Sequence, residues 1–425
     1  YKILLKSYQS ENNFILAIQT GLQVLELLGI KLPEQPDNND INRSLAEARA
    51  AWEDNPIEEL LNLPPMPHGQ ERAIMEILFE IVHPCFVCSP PLFTLVATRM
   101  VIYSITNGNS TLSANAYACY ATVLLSVTKD LNSAYQFGQI ALQLVDDLDA
   151  IEQKPAVLFL VNSFIRHWKV HHNRTLAPML EAYQIGLETG QFQFAAFGAY
   201  CYSYILFLSG ENLNIVLQEI QRYHTAINQI NEQSLLLYQS ILWQVTLNLV
   251  EESEFPWELK GQVFNPEKFL PLLKEVNERF ALAVIHLNKA ILAYLFHHYD
   301  IAFENIEITA TYVEGISGTP FFAAFYLYQS LIYLAYYPNA SSKKQLLNTV
   351  NENQVVLQQW SNNAPTNFLH KYYLLQAELN RITRKKKKAS EYYSLAIAQS
   401  QEQGFINETA LAYELAGQFY LKSNP

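Results

Sequence analysis

Cys85 and Cys88 stand three residues apart in the run Pro84-Cys85-Phe86-Val87-Cys88. Read as P-C-x-x-C, the run is half of a zinc deaminase site, which also needs an H-x-E upstream. That half is missing, because His68 is followed by Gly69 and Gln70. A closed zinc site needs four ligands. Cys119 and Cys201 are isolated, and His83 could add only a third. A redox C-x-x-C belongs in a βαβ setting, which the sequence does not show. The pair is therefore read as buried thiols where a helix meets a proline-rich turn. His167 and His171 have the i, i+4 spacing that sets two imidazoles on one helix face. The residues between them are Trp168-Lys169-Val170, so the glutamate of a zinc protease is absent. Arg166, Lys169, His172 and Arg174 would repel a metal, and the segment reads as a polar helix end.

The carboxylate pairs Asp146-Asp147 and Glu251-Glu252 have no adjacent base or Gly-rich turn and read as solvated surface. No phosphate-binding glycine loop, nucleophile elbow or kinase catalytic loop occurs. The expectation is a segment with no catalytic residue, no metal and no cofactor. The aromatic residues Tyr200, Tyr202, Tyr204, Phe207, Phe321, Phe322, Phe325, Tyr326 and Tyr328 could line a ligand groove. Their helical spacing favours the core. A net charge of −12 argues against a nucleic-acid partner, which needs a basic stripe.

The elements that would hold these residues are helices. Phe14, Ala17, Ile18, Gly21, Leu22, Leu25 and Leu28 fall on one helix face, and no run alternates with period two. Gly and Pro punctuate the chain at intervals of about 15 to 20 residues, the rhythm of antiparallel helices with short loops. Asp300 is the expected cap of a helix after His297-His298. Three windows lack ionised residues: Arg99 to Lys129, Glu188 to Glu211 and Glu314 to Lys343. Loop signals or polar residues break each one, so a membrane span is not expected. Four cysteines and no secretory signal fit the cytoplasm. The Asn-x-Ser/Thr matches at Asn109, Asn173, Asn339 and Asn407 are read as unmodified. A start at Tyr1 and an ending at Lys422–Pro425 just after a helical pattern read as a segment of a longer chain.

Small residues recur at the spacing of tetratricopeptide helix pairs. The sets are Ala17/Gly21/Val24, Ala134/Gly138/Ala141, Ala302/Ile306/Thr309 and Ala389/Tyr393/Ala396. Ala290 and Ala377 stand twelve residues before two of them, where the partner helix should cross. Helix axes approach within about 8–10 Å when crossing residues are small. The pattern predicts an all-α, right-handed solenoid of antiparallel helix pairs with degenerate repeats. Residues 1–252 would form one half and 267–425 the other, joined by an irregular connection at 253–266. Lys31–Arg43 reads as a polar loop. The five cations Arg384–Lys388 read as a solvated turn near a helix C-terminus, which suits the dipole, with a patch for an anionic partner as the alternative.

Several stretches carry a family resemblance. They are LELLGIKLP (Leu25–Pro33), IEELLNLPPM (Ile57–Met66), AIMEIL (Ala73–Leu78), NGNSTLSANAYACYA (Asn107–Ala121), IRHW (Ile165–Trp168) and LEAYQIGLETG (Leu180–Gly190). NQVVLQQWSNNAPTNFLHKYYLLQAELNR (Asn353–Arg381) and the stretch Tyr392–Leu421 follow. Together they resemble the helical middle region of large bacterial, especially cyanobacterial, signalling proteins. One departure is Ala364, where the resemblance leads one to expect a cysteine before Pro365. In that family a serine/threonine kinase and an AAA-like ATPase precede this region, and a GAF domain and a sensor histidine kinase follow. The resemblance implies a non-catalytic scaffold whose partners are domains of the same polypeptide, with a regulatory protein or small ligand on its surface. The alternative is a free-standing helical receptor or enzyme with a pocket among the middle aromatics.

Overall fold

Helix Phe14–Leu27 buries Ala17, Ile18, Gly21, Leu22, Val24 and Leu25, the face that the periodicity marks. Gly21 allows close approach there, because a Cβ would lie 2.2 Å from Cγ2 of Ile81 on helix Gln70–Cys88. The computed structural model describes residues 1–11 and 13–423, so the last two residues of the expected chain ending lie outside it. Among the described residues the chain is helical, with no β-strand and one isolated bridge between Pro65 and Asn109.

The chain forms two compact units. One comprises residues 1–165 and 185–191, the other 166–184 and 192–425. In the first unit, helix Ser113–Val123 is buried on every side. Around it Trp52 donates from Nε1 to the Tyr120 hydroxyl at 3.1 Å, and Phe137 meets both rings edge-on. The proline-rich loop Leu63–Gly69 is strapped to the turn after helix Pro90–Asn107. Met66 N donates to Asn109 O, and Asn109 N to Pro64 O, both at 2.8 Å. Gly108 holds this strap at φ +97°, where a Cβ would stand 2.1 Å from the Pro64 carbonyl oxygen. Gly108→Ala should therefore cost about 1–3 kcal/mol through overpacking and a left-handed backbone. A urea midpoint equal to that of the unsubstituted protein would refute this.

In the second unit, helices Arg279–Leu295, Tyr299–Tyr312, Pro320–Tyr336, Lys343–Asn363, Pro365–Ile382, Lys386–Glu402 and Ile406–Ser423 each pack against the next. The small residues marked in the sequence lie in the interior: Ala17, Gly21, Ala134, Gly138, Ala141, Ala290, Ala302, Ala377, Ala389 and Ala396, with Tyr393. The irregular stretch 251–265 is inside this unit and is tied to helix Gln233–Val250. Asn248 donates to the carbonyls of Pro256 and Glu258, and Gln244 accepts from Val263 N and Phe264 N.

Two local expectations are corrected. Lys31–Arg43 is not all loop: helix Asn38–Ala50 starts inside it, with reciprocal bonds between Asp37 and Asp40 forming a capping box. His298, not Asp300, takes the cap position of helix Tyr299–Tyr312, and Asp300 sits in the first turn, where a carboxylate suits the dipole. Among the described residues no helix is long and apolar enough to cross a membrane.

Candidate functional site

The candidate thiols come first. Cys85 is buried and Cys88 exposed at the end of helix Gln70–Cys88. Cys88 thus departs from the expected buried pair, and burial, full at Cys85 and partial at Cys88, pushes both thiols up rather than toward thiolate. Among the described residues no group of three or more metal-ligating side chains converges. Asp146, Asp147, Glu251 and Glu252 are exposed. The middle aromatics pack on one another: Tyr204 lies 5.0 Å from Phe321, and Tyr200 lies 5.2 Å from Tyr204.

The histidine segment behaves differently from a polar helix end. A wide turn at Val161–Ile165 is followed by one tight turn, Arg166–Trp168, and a second, His172–Thr175. His167 and His171 therefore do not share a helix face. His167 is 1% exposed and His172 3%. The reason lies about 200 residues away, at the first turn of helix Pro365–Ile382. Asn367 Nδ2 donates to the carbonyls of His167 and Val170, both at 2.7 Å, and its Oδ1 accepts from His172 N at 3.1 Å. Three of the four bonds open to that amide are made to one loop. Trp168 stacks on Phe368 at 5.4 Å and meets Trp360 at 4.9 Å. His171 bridges outward, donating from Nε2 to Gln403 O at 3.0 Å and accepting from Asn173 N at Nδ1. Those partners fix its neutral tautomer.

Next to this loop lies a buried charge cluster. Glu408, on helix Ile406–Ser423, receives Lys371 Nζ at 2.5 Å on one oxygen and 2.6 Å on the other. His370 Nε2 also meets Glu408. Lys371 Nζ, which only donates, lies 3.1 Å from the same nitrogen, but the contact to the carboxylate, which only accepts, is the closer one and places the proton on Nε2. The Phe405 ring closes the cluster, 4.5 Å from His370 and 4.6 Å from Lys371 Nζ. Burial opposes the charge on Glu408, but Lys371 and His370 prevail and hold its carboxyl down to about 2. Burial lowers His370 to about 4, with Lys371 adding to the effect. Burial alone lowers His167 to about 3, and burial with His167 as neighbour pushes His172 well down. Among the described residues neither ring nitrogen of His167 or His172 has a hydrogen-bond partner, nor does Nδ1 of His370.

A second polar tie spans a marked crossing. Arg381 grips Glu378 with two bonds, Nε at 2.9 Å and a terminal nitrogen at 2.6 Å. Tyr393 donates its hydroxyl to the same carboxylate from helix Lys386–Glu402. These groups have acid, base and charge, but they are spent on one another in the interior. Their arrangement ties together the helices that carry them.

The chain matches no family model. Over 183 residues it is 28% identical to hybrid signal transduction histidine kinase G of Dictyostelium discoideum. The match takes in 42% of this chain and 5% of that protein, so the chain corresponds to a small part of its relative.

Proposed function

We propose that the chain is a non-catalytic helical-repeat module of a multidomain signalling kinase. In this reading it is a right-handed solenoid of degenerate tetratricopeptide-like pairs in the cytoplasm. It joins an upstream serine/threonine kinase and AAA-like ATPase to a downstream GAF domain and histidine kinase. The observation that carries the reading is the run of consecutive helices in the second unit, each packed against the next, with Ala290, Ala302, Ala377, Ala389 and Ala396 all buried. Units that touch only their neighbours pass small rotations along an array, which suits a connector. The likeness to a hybrid histidine kinase lends the signalling context. Its ionisable core groups serve packing, which supports a scaffold role over a catalytic one.

Two measurements test this. Sequencing the full-length transcript should place kinase and ATPase coding sequence upstream and sensor and transmitter sequence downstream. A transcript that encodes this chain alone would overturn the connector role. The purified chain with radiolabelled ATP should show neither hydrolysis nor label transfer. Turnover abolished by changing one residue of this chain would overturn the non-catalytic role.

A further inference from the structure

Helices Lys343–Asn363, Pro365–Ile382 and Lys386–Glu402 leave an open groove of about 290 Å³. Its polar lining is Asn351, Gln376, Asn380 and Thr383, and its only charges are Lys385 and Lys388. The acids next to lining residues in sequence, Glu352, Glu378 and Glu391, do not line it. Leu347, Leu379 and the Tyr392 ring supply an apolar flank. The lysines belong to the run Arg384–Lys388, and all five of these cations are exposed. Among the described residues none of them forms an ion pair.

The run is exposed, and Arg384 and Lys385 stand in the turn after a helix C-terminus as the sequence suggests, but Lys386–Lys388 belong to the next helix. The preceding helix ends at Ile382, and Arg384 turns the chain at φ +62°. Lys385 takes the cap position without a side-chain cap, and Lys386–Lys388 form the first turn of the next helix, which has no acid. Cations there oppose the helix dipole, at about 0.3–1 kcal/mol each. In a chain of net charge −12, a concentration of unpaired cations at a groove without carboxylates is relieved by an anion. The volume is near the lower end of small-molecule sites, which run from roughly 300 Å³. It suits one phosphate and a small body, not a nucleic-acid duplex or a protein domain.

We propose that this groove binds a small phosphate-bearing group, its phosphate between Lys385 and Lys388 and its body against Leu347, Leu379 and Tyr392. The groove would do so whatever domains flank the chain. Two sources share that chemistry: a free phosphorylated metabolite and a phosphorylated side chain.

Calorimetric titration of the whole chain at low salt tests the proposal, with inorganic pyrophosphate, a phosphoserine peptide and its unphosphorylated twin as probes. Saturable one-to-one binding of pyrophosphate is expected, with Lys385→Gln/Lys388→Gln weakening it at least about tenfold. Lys268→Gln/Lys274→Gln removes the same charge from exposed positions outside the groove and should change nothing. Binding of pyrophosphate alone assigns a free metabolite, and binding of the phosphopeptide as well, but not its twin, assigns a modified side chain. Either supports the site. No saturable binding of either phosphate probe, or equal weakening by both lysine pairs, would overturn it. Circular dichroism of both variants should match the parent, since all four lysines are exposed.

Discussion

Lys371→Met should destabilise the second unit by roughly 3–5 kcal/mol, because it strands the Glu408 carboxylate in the interior. Lys371 is 4% exposed and Glu408 8%, so water cannot replace the lost ammonium. Methionine keeps most of the side-chain length against Phe405, which separates loss of charge from loss of packing. The double variant Lys371→Met/Glu408→Leu removes both ions and should recover most of the loss. It should still fall short of the parent, since His370 Nε2 then lacks its acceptor at a cost of about 1–3 kcal/mol. Adding His370→Phe removes that donor beside Phe405 and should close most of the remaining gap. Urea denaturation of the four proteins reads the series. A Lys371→Met protein as stable as the parent would mean that Glu408 is not a buried anion.

The helices were legible because their signal is local. The face from Phe14 to Leu25 repeats at helical spacing, and the structure buries it. The start at Asn38 was hidden because the box is closed by Asp40, where Glu or Gln is the usual partner. The run Arg384–Lys388 misled because one residue at positive φ separates two helices, and composition does not reveal which helix owns the lysines. The buried cluster was illegible for a different reason. His167 meets Asn367 across 200 residues, and His370 meets Glu408 across 38. No spacing rule within one helix reaches that far. A weaker clue was present in Leu369-His370-Lys371-Tyr372, two basic residues inside an apolar helical run. Such residues are buried only when paired, so the pattern asks for a distant acid without saying which.

Acid should loosen the loop 166–175 together with helix Pro365–Ile382, to which it is tied. His167 and His370 are held neutral, at about 3 and about 4, against roughly 6.5 in the unfolded chain. Within that window the unfolded state binds more protons than the folded one. Stability is therefore full above about pH 6.5 and falls as pH drops toward 4. Each histidine contributes a slope of about 1.4 kcal/mol per pH unit, so the two together give roughly 2.7. His172, also pushed well down, steepens the fall. His171, Lys371 and Glu408 surround these rings, and the Lys371 ammonium adds positive charge that resists a further proton. Glu408 has the same direction at lower pH: its stabilisation is present above about 4.5 and disappears as pH falls through about 2. Hydrogen exchange from pH 7.5 to 4.5, corrected for intrinsic rates, should show protection of 166–175 and 365–382 collapsing together, since Asn367 ties them. His167→Leu removes one titrating ring and should flatten the slope by about 1.4 kcal/mol per pH unit. Unchanged protection across that range would mean that the buried rings take up protons in place, and the loop would not be held by their neutrality.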